Sequence, residues 1–405
     1  MTLEVTDRIT VPDDSEYVDR SPVQFSPGQE LVLKNARVIL DDEVITGCVQ
    51  TRHGRIVSVD SGSSAARNAI DLDGDTLIAG LVELHTDNLE RHMMPRPKTN
   101  FPAQPALLAH DAEIVSAGIT TVFDALGVGD PYGAGFRNHN HKVVVDTLDL
   151  LDSHQALRAE HFIHVRCELP APNARTLFEP FIGNDRLRLV SLMDHTPGQR
   201  QWTNIEHART YFTGKKGWSD ARFDEEILSA PQRQAEYAEP NREYFRRYAT
   251  ECALALATHD DTTPEQVDQA HQEGASISEF PTTLAAASRA KALGLTTVAG
   301  APNIVRGGSH SGNVAAADLA KEGLLDVLSS DYVPTSLINA AWQLTTCGIS
   351  LPAALATVTR QPAKAAGLSD RGSIRQNMRA DLVQVSEIAG LPAVRHVWVA
   401  GERVH

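Results

Sequence analysis

Eight short apolar, β-rich runs alternate with helical stretches through the middle of the chain: TLIAGLVEL, ITTVFDAL, HFIHVRCEL, LRLVSLMD, CALALATH, GASISEF, LTTVAGAP and LLDVLSSD. Segments such as PALLAHDAEIVSAG and PEQVDQAHQEG separate them with apolar residues at helical spacing. Strands that alternate with helices form parallel sheets, because a parallel neighbour needs a long crossover and a helix supplies it. Eight such units point to a closed (β/α)8 barrel of TIM type over an open doubly wound sheet.

Shorter runs flank the barrel. LVLKNARVIL, VITGCVQTR and RIVSVD precede it, with HG marking a turn, and ADLVQVSE and VRHVWVAGERV follow it. A short sheet needs partners to bury a face, so the two chain ends are expected to build one small β-sandwich domain together. The expected division is 29–75 with 368–405 for that domain and 76–367 for the barrel. Residues 1–28 carry scattered acids and prolines without an apolar period, and read as an N-terminal extension. A length of 405 residues accommodates a barrel of about 250 residues and a smaller domain.

Composition narrows the function classes. A formal net charge of −15 argues against a nucleic-acid surface, and it requires any anion site to be a local basic pocket. The four cysteines, Cys48, Cys167, Cys252 and Cys347, are scattered in apolar contexts without paired spacing, which fits buried thiols in a reducing cytoplasm. No run approaches the roughly 18 apolar residues of a membrane span, and the N-terminal segment has no export pattern. The expectation is a cytoplasmic protein that binds neither nucleic acid nor membrane; assembly into a homo-oligomer stays open.

In a barrel of this kind the reacting groups lie where strands end and βα loops begin. His85 and Asp87 close the first run, Glu168 the third, Asp194 and His195 the fourth, His259 with Asp260 and Asp261 the fifth, Glu279 the sixth and Asp331 the eighth. Imidazoles and carboxylates converging from different strands suit a divalent metal, since each can turn a lone pair to a common centre. His85 and Asp87, two apart on a strand, point to the same side. Each position also has a structural alternative: a lone strand-end His is often a hydrogen-bonded core residue, and an Asp there often caps a helix. Glu279, in EFPTT, could equally hold a backbone N–H at a turn. Coincidence around one rim favours a site.

The order GLVELHTD, ITTVFD, RCE, THDD, SSD and GSI…ADLV resembles the amidohydrolase superfamily, metal-dependent hydrolases on a (β/α) barrel, over nearly the whole chain after residue 30. More closely, ELHTDNLERHMMPRP, SLMDHTPGQRQ, YFTGKKG, HDDTTPE, EFPTT and GAPNIVRGGSHSGN resemble the diphosphatase family of the bacterial carbon–phosphorus lyase pathway. The resemblance implies cleavage of α-D-ribose 1-methylphosphonate 5-triphosphate to the 5-phosphate and diphosphate, with a small phosphorylated sugar as partner. It also implies one or two divalent ions, zinc foremost, on His85, Asp87, Glu168, His195, His259 and Asp331. Two departures from the wider superfamily are His85-Thr86-Asp87 in place of H-x-H, and Glu168 in place of a carboxylated lysine. Asn377 and Met378 stand where many relatives have a turn glycine.

A triphosphate demands local cations. Arg91, His92 and Arg96 follow the first strand; Lys215 and Lys216 lie between glycines; Arg306, Ser309 and His310 follow the seventh strand, a frequent phosphate position in such barrels. All also read as solvated loop residues. The expected chemistry has Asp331 accepting a proton from water, Glu168 bridging or holding the metals, and cations neutralising the diphosphate leaving group. Two rivals are a C–N hydrolase (amidase, cyclic-imide hydrolase or deaminase), which would not require Arg91, Arg96 and Arg306, and a non-catalytic barrel scaffold without metal.

Overall fold

The computed structural model describes residues 30–96, 99–131, 137–214, 217–309 and 312–405, excluding the side chains of 137–140. The N-terminal extension, Lys215, Lys216 and His310 lie outside the described residues. Five strands come first: β1 (Leu31–Ile39), β2 (Val44–Arg52), β3 (Arg55–Ser61), β4 (Ile70–Asp71) and β5 (Thr76–Ala79). The barrel strands follow: β6 (Leu81–Thr86), β7 (Ile119–Val128), β8 (Glu160–Glu168), β9 (Leu187–Met193), β10 (Ala255–His259), β11 (Ile277–Glu279), β12 (Thr296–Gly300) and β13 (Val327–Ser329). Three more close the chain: β14 (Leu382–Ile388), β15 (Leu391–Val399) and β16 (Glu402–Arg403).

Each of the eight expected runs supplies a strand of one parallel sheet, ordered β6 through β13. Its edges meet at a seam: Asp87 N donates to Asp331 O (2.8 Å), Asp331 N to His85 O (3.1 Å), and Thr86 Oγ1 to Asp331 O (2.9 Å). The barrel is thus nearly closed, and the closure runs through the backbone of His85, Asp87 and Asp331 themselves. Period-two alternation sorts the strand side chains. Val82, Leu84, Phe123, Leu189, Ala257, Ile277, Val298 and Val327 pack inside the barrel floor. Leu126, Val128, Ile163, Val165, Cys167, Val190 and Leu192 pack outward against Phe178, Phe245 and Ala249. Truncating a ring as buried as Phe123 costs about 3–5 kcal/mol, so this floor is a rigid base for the mouth above it.

The chain ends do build a second sheet together, in the order β16-β15-β14-β5-β1-β2-β3, with β4 beside β1. It is a single mixed sheet that curls back on itself: Ala380 N donates to Gly54 O and Gly401 N to Ala380 O, both at 2.8 Å. Leu33, Val49, Ile56, Leu77, Leu382 and Trp398 share the enclosed core. The first expected barrel run is divided. Thr76–Ala79 pairs with β14 and β1, and only Leu81–Thr86 enters the barrel, so the end sheet extends to Ala79 instead of stopping at residue 75. Gly80 makes the division sterically. A Cβ there would lie 2.2 Å from Thr120 Oγ1 and 2.9 Å from Asp381 Cβ, where the two sheets cross. Asn377 adopts φ 73°, so an asparagine does take the left-handed turn that relatives give to glycine.

The four cysteines are free thiols; Cys167 is buried, whereas Cys252 is exposed at a helix end, contrary to its apolar context. Among the described residues no helix is long and apolar enough to cross a membrane.

Candidate metal centre at the barrel mouth

Three strands end in left-handed backbone at the mouth: Asp260 after β10 (φ 57°), Phe280 after β11 (φ 52°) and Asp331 after β13 (φ 54°). Asp tolerates this conformation, whereas a bulky Phe is strained by it. Ladder bonds hold all three: Asp260 N to Glu279 O (2.9 Å), Phe280 N to Val298 O (2.8 Å) and Asp331 N to His85 O (3.1 Å). The turn after each strand is thereby fixed, and the side chain at the turn with it.

Two carboxylates orient three imidazoles. Glu279 places Oε1 3.0 Å from His85 Nδ1 and Oε2 3.2 Å from His259 Nδ1. Glu168 places Oε2 2.5 Å from His195 Nδ1 and accepts His195 N on Oε1 at 2.9 Å. Each ring donates from Nδ1 to a carboxylate, which sets the tautomer and leaves the Nε2 lone pair as its ligand atom. His195 Nε2 and His259 Nε2 stand 3.8 and 3.5 Å from Asp260 Oδ2. That oxygen is buried and has no hydrogen-bond partner. An orphaned buried carboxylate oxygen is costly unless a cation satisfies it. The ligand atoms of His195, His259 and Asp260 all lie within 4.8 Å of one another, and so do those of His85, Asp87 and Asp331. Two His and one Asp, backed by outer carboxylates, fit a divalent ion that keeps a position open for water.

The electrostatics agree with that donor set. Burial lowers His85 to about 3, assisted by the Arg166 charge, and lowers His259 to about 4. Burial likewise raises Asp260 to about 6, a carboxylate held without enough compensating charge. Neutral imidazoles with available lone pairs are the form a metal binds. His195 differs: burial opposes its charge, but Glu168 outweighs burial and raises it.

The neighbouring acid of the HDD segment has another task. Asp261 accepts from Arg200 Nη1 (2.7 Å), Ser278 Oγ (3.3 Å) and Thr258 Oγ1, and Arg200 also donates to His259 O (2.9 Å). Asp261 therefore anchors the loop carrying His259 while Asp260 faces the mouth.

Of the expected ligands, the structure brings His85, Asp87 and Asp331 into one group and His195 and His259 into another, with Glu279 touching both His85 and His259. Glu168, expected to bridge or hold the metals, has both oxygens on His195 and orients that ring. Arg91 and His92 lie on helix α1 (Asn88–Met93) and both bond Glu113 of α2 (Ala103–Ser116), with the Arg91 side chain 54% exposed. Arg96 is exposed and bridges Thr99. Arg306 is exposed at the end of the helix Ala301–Arg306 that follows β12, and Ser309 Oγ accepts from Asn313 N at 3.3 Å. Among the described residues, a cation that does stand in the mouth is Arg166, on β8: Nη1 donates to Asp87 Oδ1 (2.7 Å) and to His85 Nε2 (2.9 Å). Sequence reasoning passed over it, although period two puts Arg166 on the same face of its strand as Glu168.

The barrel, the composite end sheet and this rim place the chain among hydrolases of the amidohydrolase class. The model of the amidohydrolase family matches residues 220–405. The fold is shared with the 5-methylcytosine deaminase of Klebsiella pneumoniae (TM-score 0.62, 14% identity, covering 93% of this chain and 98% of that one). It is also shared with the N-acetyl-D-glucosamine-6-phosphate deacetylase of Mycobacterium smegmatis (TM-score 0.59, 17% identity, 93% and 100%). At such identities the likeness is one of fold. The chain belongs to the family of the alpha-D-ribose 1-methylphosphonate 5-triphosphate diphosphatase of Escherichia coli (strain K12), with which it shares 43% identity over 380 residues, covering 92% of this chain and all of the relative.

Proposed function

We propose that the protein hydrolyses α-D-ribose 1-methylphosphonate 5-triphosphate to the 5-phosphate and diphosphate in phosphonate catabolism. The observation that carries this reading is the match to the E. coli diphosphatase along that enzyme's entire length. The donor chemistry of the mouth supports a divalent ion, and zinc suits a set of two His and one Asp. Four unpaired thiols fit a cytoplasmic setting.

His195, His259 and Asp260 would hold a divalent ion, which when bound would supply Lewis acidity for activating water and polarising a phosphoryl oxygen. The chain's own groups do the rest. Glu168 and Glu279 hold the imidazole rings in register through Nδ1. Asp331, fixed by the seam bonds to β6, offers a carboxylate beside His85 and Asp87 that accepts the proton of the attacking water. Arg166, whose guanidinium stands in the mouth, would offset negative charge that grows on the departing diphosphate, with the exposed Arg306 as a further cation.

Phosphorus NMR of the products tests the reading directly. Diphosphate with a 5-phosphate is the expected pair. Orthophosphate with a 5-diphosphate contradicts the assigned leaving group, and turnover of amides or imides without diphosphate release favours a C–N hydrolase.

A further inference from the structure

We propose that the Arg166 guanidinium permanently fills one lobe of the mouth, so that the protein binds a single divalent ion per chain, on His195, His259 and Asp260. The inference rests on the metal-centre reading above and adds its stoichiometry and the identity of the second cation.

The mouth has two lobes of similar chemistry. One is formed by His195, His259 and Asp260, the other by His85, Asp87 and Asp331. In the first, Asp260 Oδ2 is buried and unpartnered, facing two imidazole Nε2 atoms. In the second, Arg166 Nη1 reaches His85 Nε2 at 2.9 Å and Asp87 Oδ1 at 2.7 Å, the two atoms an ion would take. The Nδ1 of His85 is committed to Glu279, so its one remaining lone pair can serve the guanidinium or a metal, and not both.

Arg166 is a poor candidate for displacement. Its guanidinium stays protonated at any pH the protein experiences. Moving it aside would leave a buried cation without partners. Its Nε is buried and has no hydrogen-bond partner, which leaves that N–H for an acceptor such as a phosphoryl oxygen. The same side chain would thus replace one metal and bind the substrate's phosphate.

The test is metal stoichiometry of the full chain. Cobalt(II) titration followed by its visible ligand-field absorption, and elemental analysis after zinc loading and desalting, should both saturate at one ion per chain for the wild type. Arg166→Met, similar in length and uncharged, should accept a second ion, and Arg166→Lys should stay at one. Two ions in the wild type would overturn the proposal while leaving the metal centre intact. No ion in the folded wild type would overturn both. An Arg166→Met protein that folds and still takes one ion would also overturn it. The wild-type measurement decides even where the variant fails to fold.

Discussion

Two buried clusters of histidines and acids lie on opposite faces of the barrel wall, and they are put together in opposite ways. Behind the wall, under α2, His110 Nε2 meets Asp124 Oδ1 (2.7 Å), His161 Nδ1 meets Asp124 Oδ2 (2.8 Å), His161 Nε2 meets Asp111 Oδ1 (3.4 Å), and Asn88 Nδ2 meets His110 Nδ1 (3.0 Å). Every ring nitrogen and both Asp124 oxygens are taken. In the mouth each of three rings uses one nitrogen on a carboxylate, and a buried acid oxygen is left without a donor. By residue type and spacing alone, His110, Asp124 and His161 would hold a metal as readily as His195, His259 and Asp260. Hydrogen-bond accounting separates their imidazole and carboxylate atoms: under α2 these are paired, with only the neutral amide oxygen Asn88 Oδ1 lacking a partner among the residues named, whereas in the mouth a carboxylate oxygen that faces two imidazoles is left over.

Substitution should expose that difference most strongly. Asp124→Ala removes the acceptor of two buried imidazoles and is expected to destabilise the protein by about 3–5 kcal/mol, read by urea denaturation, with metal content unchanged. Asp260→Ala should do the reverse. It abolishes metal binding, and in the metal-free protein it leaves stability equal or higher, because the orphaned oxygen is gone. Metal loss in the first variant, or collapse of the second, breaks the comparison.

A smaller effect probes the outer carboxylates. Glu279→Gln retains volume but loses the charge behind His85 and His259, and metal affinity measured by chelator competition should fall by about 10–100-fold.

Next comes pH. Burial opposes charge on His161, but Asp124 and Asp111 prevail and raise it from 6.5 to about 9. A raised folded-state value means stabilisation that is complete below the unfolded value and fades as pH climbs through the folded one. Denaturation midpoints should therefore decline between 6.5 and about 9, and more shallowly in His161→Gln. An equal slope in both proteins would remove His161 as the cause.

The smallest effect is expected at Arg91, which the sequence offered as a triphosphate contact. Paired with Glu113 at the surface, it should contribute no more than about 1 kcal/mol to stability, and Arg91→Ala should leave KM for the triphosphate unchanged. A large rise in KM would return it to the substrate.

Strand runs and the polar residues that end them were legible because burial and period two leave a local imprint: each of the eight runs supplied a barrel strand, and His85, Asp87, His195, His259 and Asp331 reached the mouth. What was not legible depends on contacts distant in the chain. Gly80 splits one apolar run only because Thr120 and Asp381 cross there. Asp260 and Asp261 are adjacent acids, and their roles diverge because a left-handed turn at Asp260 and the reach of Arg200 separate them. Arg166 in a β-rich run reads as an ordinary strand residue until Asp87, from another strand, stands across from it. The network under α2 joins residues 88, 110, 111, 124 and 161, which share no motif.

Anomalous diffraction at the zinc edge, from crystals of the zinc-loaded protein, tests the central claim most directly. The account predicts one strong peak within about 2.0–2.2 Å of His195 Nε2, His259 Nε2 and an Asp260 oxygen, and none among His110, Asp124 and His161. A peak in that second cluster, or a mouth without one, would contradict it.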